Sequence, residues 1–195
     1  MAAGSTLYFI RHGETDWNAE HRLQGQIDIP LNALGRRQAQ RNGRTLREVV
    51  PDLGVVDFVS SPLMRAAETM RIARETAGLE PSLFYTDERL KEVHFGAWEG
   101  WRWLDLPAQD PTGYADRTAN AFTWRPRGGE SYQDLMARTV DWLSTIERDT
   151  VVVSHGGVSR VLRGHLYGLD PDDVPDLKVP QDRILLLRPT GMDWI

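Results

Sequence analysis

The chain has 195 residues, 41 % of them hydrophobic and 26 % charged, with a net charge of −5 and no cysteine. That length suits one α/β domain with a sizeable core. The missing cysteine excludes disulfides, thiolate metal sites and cysteine nucleophiles, and a mildly acidic chain without a Lys/Arg block is a poor match for nucleic acid or an anionic membrane.

The first ten residues carry no basic segment and too short an apolar run for a signal peptide. No stretch approaches the roughly 20 apolar residues of a membrane helix. The expectation is a cytoplasmic protein. Residues 7–10 read as a short buried strand, ending abruptly at Arg11-His12-Gly13. In open α/β sheets, sites gather where strands stop. Gly13 lets the chain turn and lets a ligand approach the backbone. Residues 15–30 lack a period and read as a loop with one helical turn, holding Asn18, Arg22, Gln24 and Gly25. Asn32 is the N-cap of a helix reaching residue 50.

Residues 55–59 are the second strand. A helix follows with Ser61 as N-cap and Pro62 at its first position, stopped by Gly78. Residues 83–85 are the third strand. Residues 90–100 are a loop. Residues 101–129, with three prolines and several aromatics, read as short helices packed lid-like over the site. The clearest helix spans 131–147, where Tyr132, Leu135, Met136, Thr139, Leu143 and Ile146 keep helical spacing. Residues 150–154 repeat the opening pattern, an apolar run followed by His155-Gly156-Gly157. A helix from 158 to 167, closed by Gly168, and a last strand at 184–187 complete the chain. Residues 179–187 are the candidate edge strand. Strands alternating with helices predict an α/β fold around a mostly parallel sheet, organised as one domain over residues 1–195.

If the strands ending at His12 and His155 are parallel neighbours, the two histidines face one crevice. A neutral imidazole attacks phosphorus when its other nitrogen donates to a carbonyl. An adjacent Arg11 disfavours the imidazolium and grips phosphoryl oxygens. Arg65 falls in the first turn of its helix, where a cation costs roughly 0.3–1 kcal/mol. It is either a phosphate ligand or a solvated side chain. A leaving group needs a proton, which a carboxyl pressed against aromatic rings supplies. Glu92 and Glu99 both qualify, and either also suits a plain loop. The five histidines lack metal-ligand spacing, so no metal and no cofactor are expected. Trp101, Trp103 and Trp124 suit lid packing. Arg125 and Arg127 suit either a substrate anion or solvent.

These residues resemble the histidine phosphatase superfamily, the phosphoglycerate mutase-like fold, over nearly the whole chain. Arg11-His12-Gly13-Glu14-Thr15 with Asn18 matches its opening motif, and Gln24-Gly25 and Asp28-Ile29-Pro30-Leu31 match the segment after it. Ser60-Ser61-Pro62 with Arg65, Ala66 and Thr69 matches the second motif. Glu92 with Gly96, Trp98, Glu99 and Gly100 matches the third. Gly128-Gly129-Glu130-Ser131 and Ser154-His155-Gly156-Gly157 match the remaining two. The resemblance implies a three-layer α/β/α sandwich. It implies His12 as a nucleophile that becomes phosphohistidine, Glu92 as proton donor and then base, and Arg11, Arg65 and His155 as the phosphate pocket. Gly13, Asn18, Gln24, Gly25 and Gly156 complete the expected binding set. The segment after Gly100 is short and lacks an adjacent arginine pair, which is similar to the phosphatase branch rather than the mutases. The expected partner is a small phosphomonoester, with selectivity written in the lid. A mutase and a non-catalytic phosphate-binding module are the alternatives.

Overall fold

The computed structural model describes residues 1–2 and 4–195. Among the described residues six strands form one mixed sheet: β1 (Leu7–Arg11), β2 (Asp57–Ser60), β3 (Tyr85–Thr86), β4 (Thr150–Ser154), β5 (Ile184–Arg188) and β6 (Gly191–Trp194). Their spatial order is β3-β2-β4-β1-β5-β6. The first four in that order run parallel, and β5 and β6 add antiparallel. The α-helices are α1 (Asp16–Ala19), α2 (Ala33–Val49), α3 (Met64–Thr76), α4 (Leu106–Gln109), α5 (Pro111–Ala119), α6 (Tyr132–Ser144) and α7 (Gly156–Tyr167).

Apolar residues on both faces of the central strands dictate three layers, because a strand apolar throughout must be covered twice. Leu7, Phe9, Val152, Leu185 and Leu187 pack with Leu135 and Leu143 of α6 and Val158, Val161 and Leu162 of α7. Their alternates Tyr8, Ile10, Val151, Val153 and Leu186 pack with Leu46 of α2 and Ala66 and Met70 of α3. The molecule is therefore an α/β/α sandwich. A smaller cluster of Leu23, Trp98 and Leu106, flanked by Phe95, Trp101, Tyr114 and Trp124, holds α4 and α5 against the loops around Leu23 and Trp98.

Several element boundaries differ from the sequence reading. β2 starts at Asp57, not residue 55, and Val55 is exposed. The ladder gives the reason: Asp57 pairs with Thr150, where β4 begins, so residues 55 and 56 have no strand to bond. β3 lies at Tyr85–Thr86 rather than 83–85, since only those two residues meet Val59 and Ser60. Helix α3 starts at Met64 with Leu63 as N-cap residue, not at Pro62. The side chain of Asp28, from the distant loop, accepts the Met64 N–H at 2.8 Å and does the capping. Residues 179–187 do not form an edge. β5 is interior, and β6, which the sequence reading missed, pairs outside it across a tight turn from Arg188 to Gly191. Helix α7 begins at Gly156, two residues early, and α6 ends at Ser144.

Candidate active site

Parallel pairing of β1 with β4 places Arg11 opposite Ser154, so His12 and His155 leave adjacent strand ends. The His12 N–H donates to the Ser154 carbonyl at 2.9 Å, and the two imidazole centroids lie 5.2 Å apart. His12 is 2 % exposed. Its Nδ1 lies 2.8 Å from the Gly13 carbonyl oxygen. A carbonyl only accepts, so Nδ1 carries the proton and Nε2 the lone pair. Burial, then the Arg65 and Arg11 guanidiniums, push the His12 imidazolium well below the usual histidine pKa, against the opposing pull of the Gly13 bond. His12 is thus a neutral imidazole with its lone pair on Nε2.

Two arginines frame it. Arg65 is fully buried; its Nη atoms donate to the carbonyls of Gly25 and Ile27 at 2.7 and 2.8 Å. The solvated alternative for Arg65 is thereby excluded. Arg11 Nη1 donates to the Val179 carbonyl at 2.7 Å. Desolvation draws both guanidiniums down to about 10, leaving them charged at neutral pH. The Nε atoms of Arg11 and Arg65 and Nδ1 of His155 are buried and have no hydrogen-bond partner in the protein. A buried donor left unpaired costs about 1–3 kcal/mol; Arg11 and Arg65 both line the cavity beside His12, where an acceptor oxygen would satisfy their Nε–H groups. Helix α7 adds its positive end, because His155 is its N-cap residue and makes no side-chain cap bond.

A cavity of about 370 Å³ opens here, within the range of small-molecule sites. Arg11, His12, Asn18, Gln24, Gly25, Arg65, Glu92 and Gly156, eight of the expected residues, line it. His155 and Gly13 do not. His155 lies beside His12, with Nε2 held 2.7 Å from Ser61 Oγ. Gly13 gives its N–H to Thr69 Oγ1, and a side chain there would collide with the carbonyl of Gly35. The close approach that needs glycine is made by another backbone, not by a ligand.

A family model described as the histidine phosphatase superfamily, branch 1, matches residues 7–195. The chain belongs to the histidine phosphatase superfamily. With that membership it is an enzyme, a phosphoric monoester hydrolase by class. It is 36 % identical to a glucosyl-3-phosphoglycerate phosphatase of Mycolicibacterium vanbaalenii, over 88 % of this chain and 78 % of that one. It is 38 % identical to phosphoglycerate mutase-like protein 4 of Arabidopsis thaliana, over 80 % of this chain and 68 % of that one. The solved mycobacterial glucosyl-3-phosphoglycerate phosphatase in complex with VO3 superposes with a TM-score of 0.80 at 31 % identity, covering 98 % of this chain and 97 % of that one.

Within this histidine phosphatase, the two rival carboxylates are placed differently. Glu92 lines the cavity. Its Oε1 accepts the N–H groups of Val93 and Gly157 at 2.9 and 3.0 Å, while Oε2 holds only the longer Gly157 contact at 3.2 Å. Backbone N–H groups are its hydrogen-bond partners, and Phe95 and Tyr132 line the same cavity. A Cβ on Gly157 would collide with Glu92 Oε1, so glycine here lets the carboxylate keep its position. Glu99 instead accepts from the backbone of Gln26 and Phe95 and ties two loops together. Arg125 pairs with Asp134, and neither it nor Arg127 reaches the cavity wall. The wall cations outside the expected set are Arg22, Arg117 and Arg160. One signal was available: Arg160 lies four residues after Gly156, on the same face of α7. Trp103, expected only to pack, also lines the cavity. Among the described residues no group of three or more His, Asp or Glu side chains is placed to hold a metal ion. Among the described residues no helix is long and apolar enough to cross a membrane.

Proposed function

We propose that the protein is a metal-independent phosphomonoesterase acting on a small phosphorylated metabolite by two displacements at phosphorus. His12 Nε2 attacks the phosphoryl group and the ester P–O bond breaks. Glu92 gives its proton to the departing oxygen. Oε1 carries the two stronger backbone bonds, so Oε2 is the atom left to hold that proton. The phosphohistidine then meets water, from which Glu92 takes a proton, and free phosphate leaves. The Arg11 and Arg65 guanidiniums and the α7 N-terminus offset the charge on the transferred oxygens, and His155 flanks the nucleophile, its ring centroid 5.2 Å from that of His12. Asn18, Gln24, Gly25 and Gly156 line the space in which those oxygens sit.

The observation that carries this reading is the His12 tautomer. The Gly13 carbonyl accepts the Nδ1–H hydrogen bond, which leaves the lone pair on Nε2, in a cavity lined by two arginines and Glu92. The relatives support the substrate class, since one is named for a phosphorylated glycerate derivative. The test is phosphate release from a panel of small phosphomonoesters with chelator present. The expected result is release by the wild type, none by His12→Ala, and an acid-labile phosphate adduct on the wild type alone. Retained phosphate with isomerised product would instead make it a mutase, and release that needs a metal would overturn the proposed chemistry.

A further inference from the structure

Five arginines line the cavity, Arg11, Arg22, Arg65, Arg117 and Arg160, against two carboxylates, Glu92 and Asp176. With Glu92 protonated or ionised, the cations on this wall exceed what one phosphoryl dianion offsets, and hydrogen bonding separates the five arginines. Arg11 and Arg65 are tied to the carbonyls already described. Arg22 donates to the Gly100 carbonyl at 2.8 Å and pairs with Glu20. Arg160 donates to the Leu177 carbonyl at 2.8 Å and to the Tyr132 hydroxyl at 3.1 Å. The Arg117 side chain, alone among these five, makes no hydrogen bond or ion pair with the described residues. Asp176, on the same wall, does not pair with it.

Arg117 is nevertheless held in place. Its guanidinium carbon lies 4.7 Å from the centroid of Trp103, a partly exposed ring steadied edge-on by Phe95 at 6.2 Å. A guanidinium held over an indole face by this contact keeps its N–H donors free, and those are the ones that bind oxyanions in a fork. Arg117 sits in the last turn of α5, where the helix end favours a cation. That accounts for the charge being tolerated on the helix, but not for its facing the cavity without a partner.

We infer that Arg117, stacked on Trp103, is a specificity-determining residue that binds a second anionic group on the substrate, so that the preferred esters carry a carboxylate or a second phosphate besides the phosphoryl group transferred. This rests on the phosphomonoesterase reading above. The segment carrying both residues, 101–129, is the one that shapes the cavity mouth without supplying any proposed reacting group.

The test compares matched esters. 3-Phosphoglycerate and glycerol 3-phosphate differ by a carboxylate against a hydroxymethyl group; fructose 1,6-bisphosphate and fructose 6-phosphate differ by a second phosphate. The wild type is expected to favour the second-anion member of at least one pair in kcat/KM, by about ten- to a hundredfold for one charge-assisted contact. The pair that shows it tells carboxylate from phosphate. Arg117→Met, which keeps an apolar stem on Trp103, is expected to collapse that ratio, with an unchanged melting temperature as the check on folding. Ligand-induced stabilisation of His12→Ala by the same esters gives a readout independent of turnover. Turnover without preference in either pair overturns the inference, as does a preference that survives Arg117→Met. Anion-selective stabilisation without turnover of any ester would overturn the phosphomonoesterase reading and leave the subsite standing.

Discussion

Arg138, on α6, holds the loop that carries Glu92. Its Nη atoms donate to the carbonyls of Arg89, Lys91 and Glu92 at 2.6, 2.7 and 3.0 Å, and it pairs with Glu130 at 2.9 Å. Glu130 in turn accepts the His94 N–H at 3.0 Å. Arg138→Met keeps the apolar stem and removes every donor. Three guanidinium–carbonyl bonds at about 1 kcal/mol net each give roughly 3 kcal/mol. The ion pair is about a quarter exposed and adds little beyond that. At about 2–4 °C per kcal/mol for a chain of this size, the melting temperature should fall by ~6–12 °C. Stability is half of the claim; the other half is kinetic. A loosened Glu92 backbone misplaces the proton donor, and an ångström of misplacement costs up to about 10² in rate. That loss should fall on alkyl phosphates, whose leaving oxygen needs a proton, and spare nitrophenyl phosphate. Scanning calorimetry and steady-state rates on both ester types are the assays. A melting temperature lowered by less than about 2 °C, or equal rate losses on both esters, would refute the clamp.

Glu92→Gln should likewise lose about 10²–10⁴-fold on alkyl phosphates and far less on nitrophenyl phosphate, measured as kcat; equal losses would remove Glu92 as the acid. Gly157→Ala should push the Glu92 carboxylate aside while α7 gains up to about 1 kcal/mol of helix propensity, so activity on alkyl phosphates falls with stability kept; an unimpaired variant would count against the tight fit. Burial, then Arg65, depresses His155 as it does His12. Each therefore takes a proton more readily unfolded than folded, so stability is full above the usual histidine pKa of about 6.5 and is lost as pH falls below it, by about 1.4 kcal/mol per unit for each ring. Urea unfolding at about pH 7.5 and 5.5, with NMR titration of His12, checks this; a folded His12 titrating above about 6.5 would reverse the sign.

The central strands were legible because burial on both faces leaves an uninterrupted apolar run, as in Val151-Val152-Val153. The helix caps were legible where the capping group is local: Asn32 accepts from Gly35. They were misread where it is remote. Ser61 looked like the N-cap of α3, yet its hydroxyl serves His155 while Asp28 caps the helix from 36 residues away in sequence. The edges failed for a related reason. Whether residues 55 and 56 are strand depends on where β4 starts, which no letter near them records. β6 left a fainter trace, a two-residue turn before Gly191.

The site divides along the same line. Arg11, His12 and His155 announce themselves because strand ends and glycines mark their positions, and residue type alone names the chemistry. Direction is harder. Glu92 and Glu99 stand seven residues apart in one loop, and their difference lies in which backbone N–H groups each meets. Arginines show it most clearly. Arg125, Arg127 and Arg117 all fall in one short segment, and the sequence offers no ground to prefer the last. Asp134 claims Arg125, whereas Trp103 turns Arg117 toward the cavity without taking up its hydrogen bonds. A cation held by an aromatic face keeps its donors for a ligand; one held by a carboxylate has spent them. That distinction exists only after folding, and it is the reason substrate preference is harder to read from the chain than reaction chemistry.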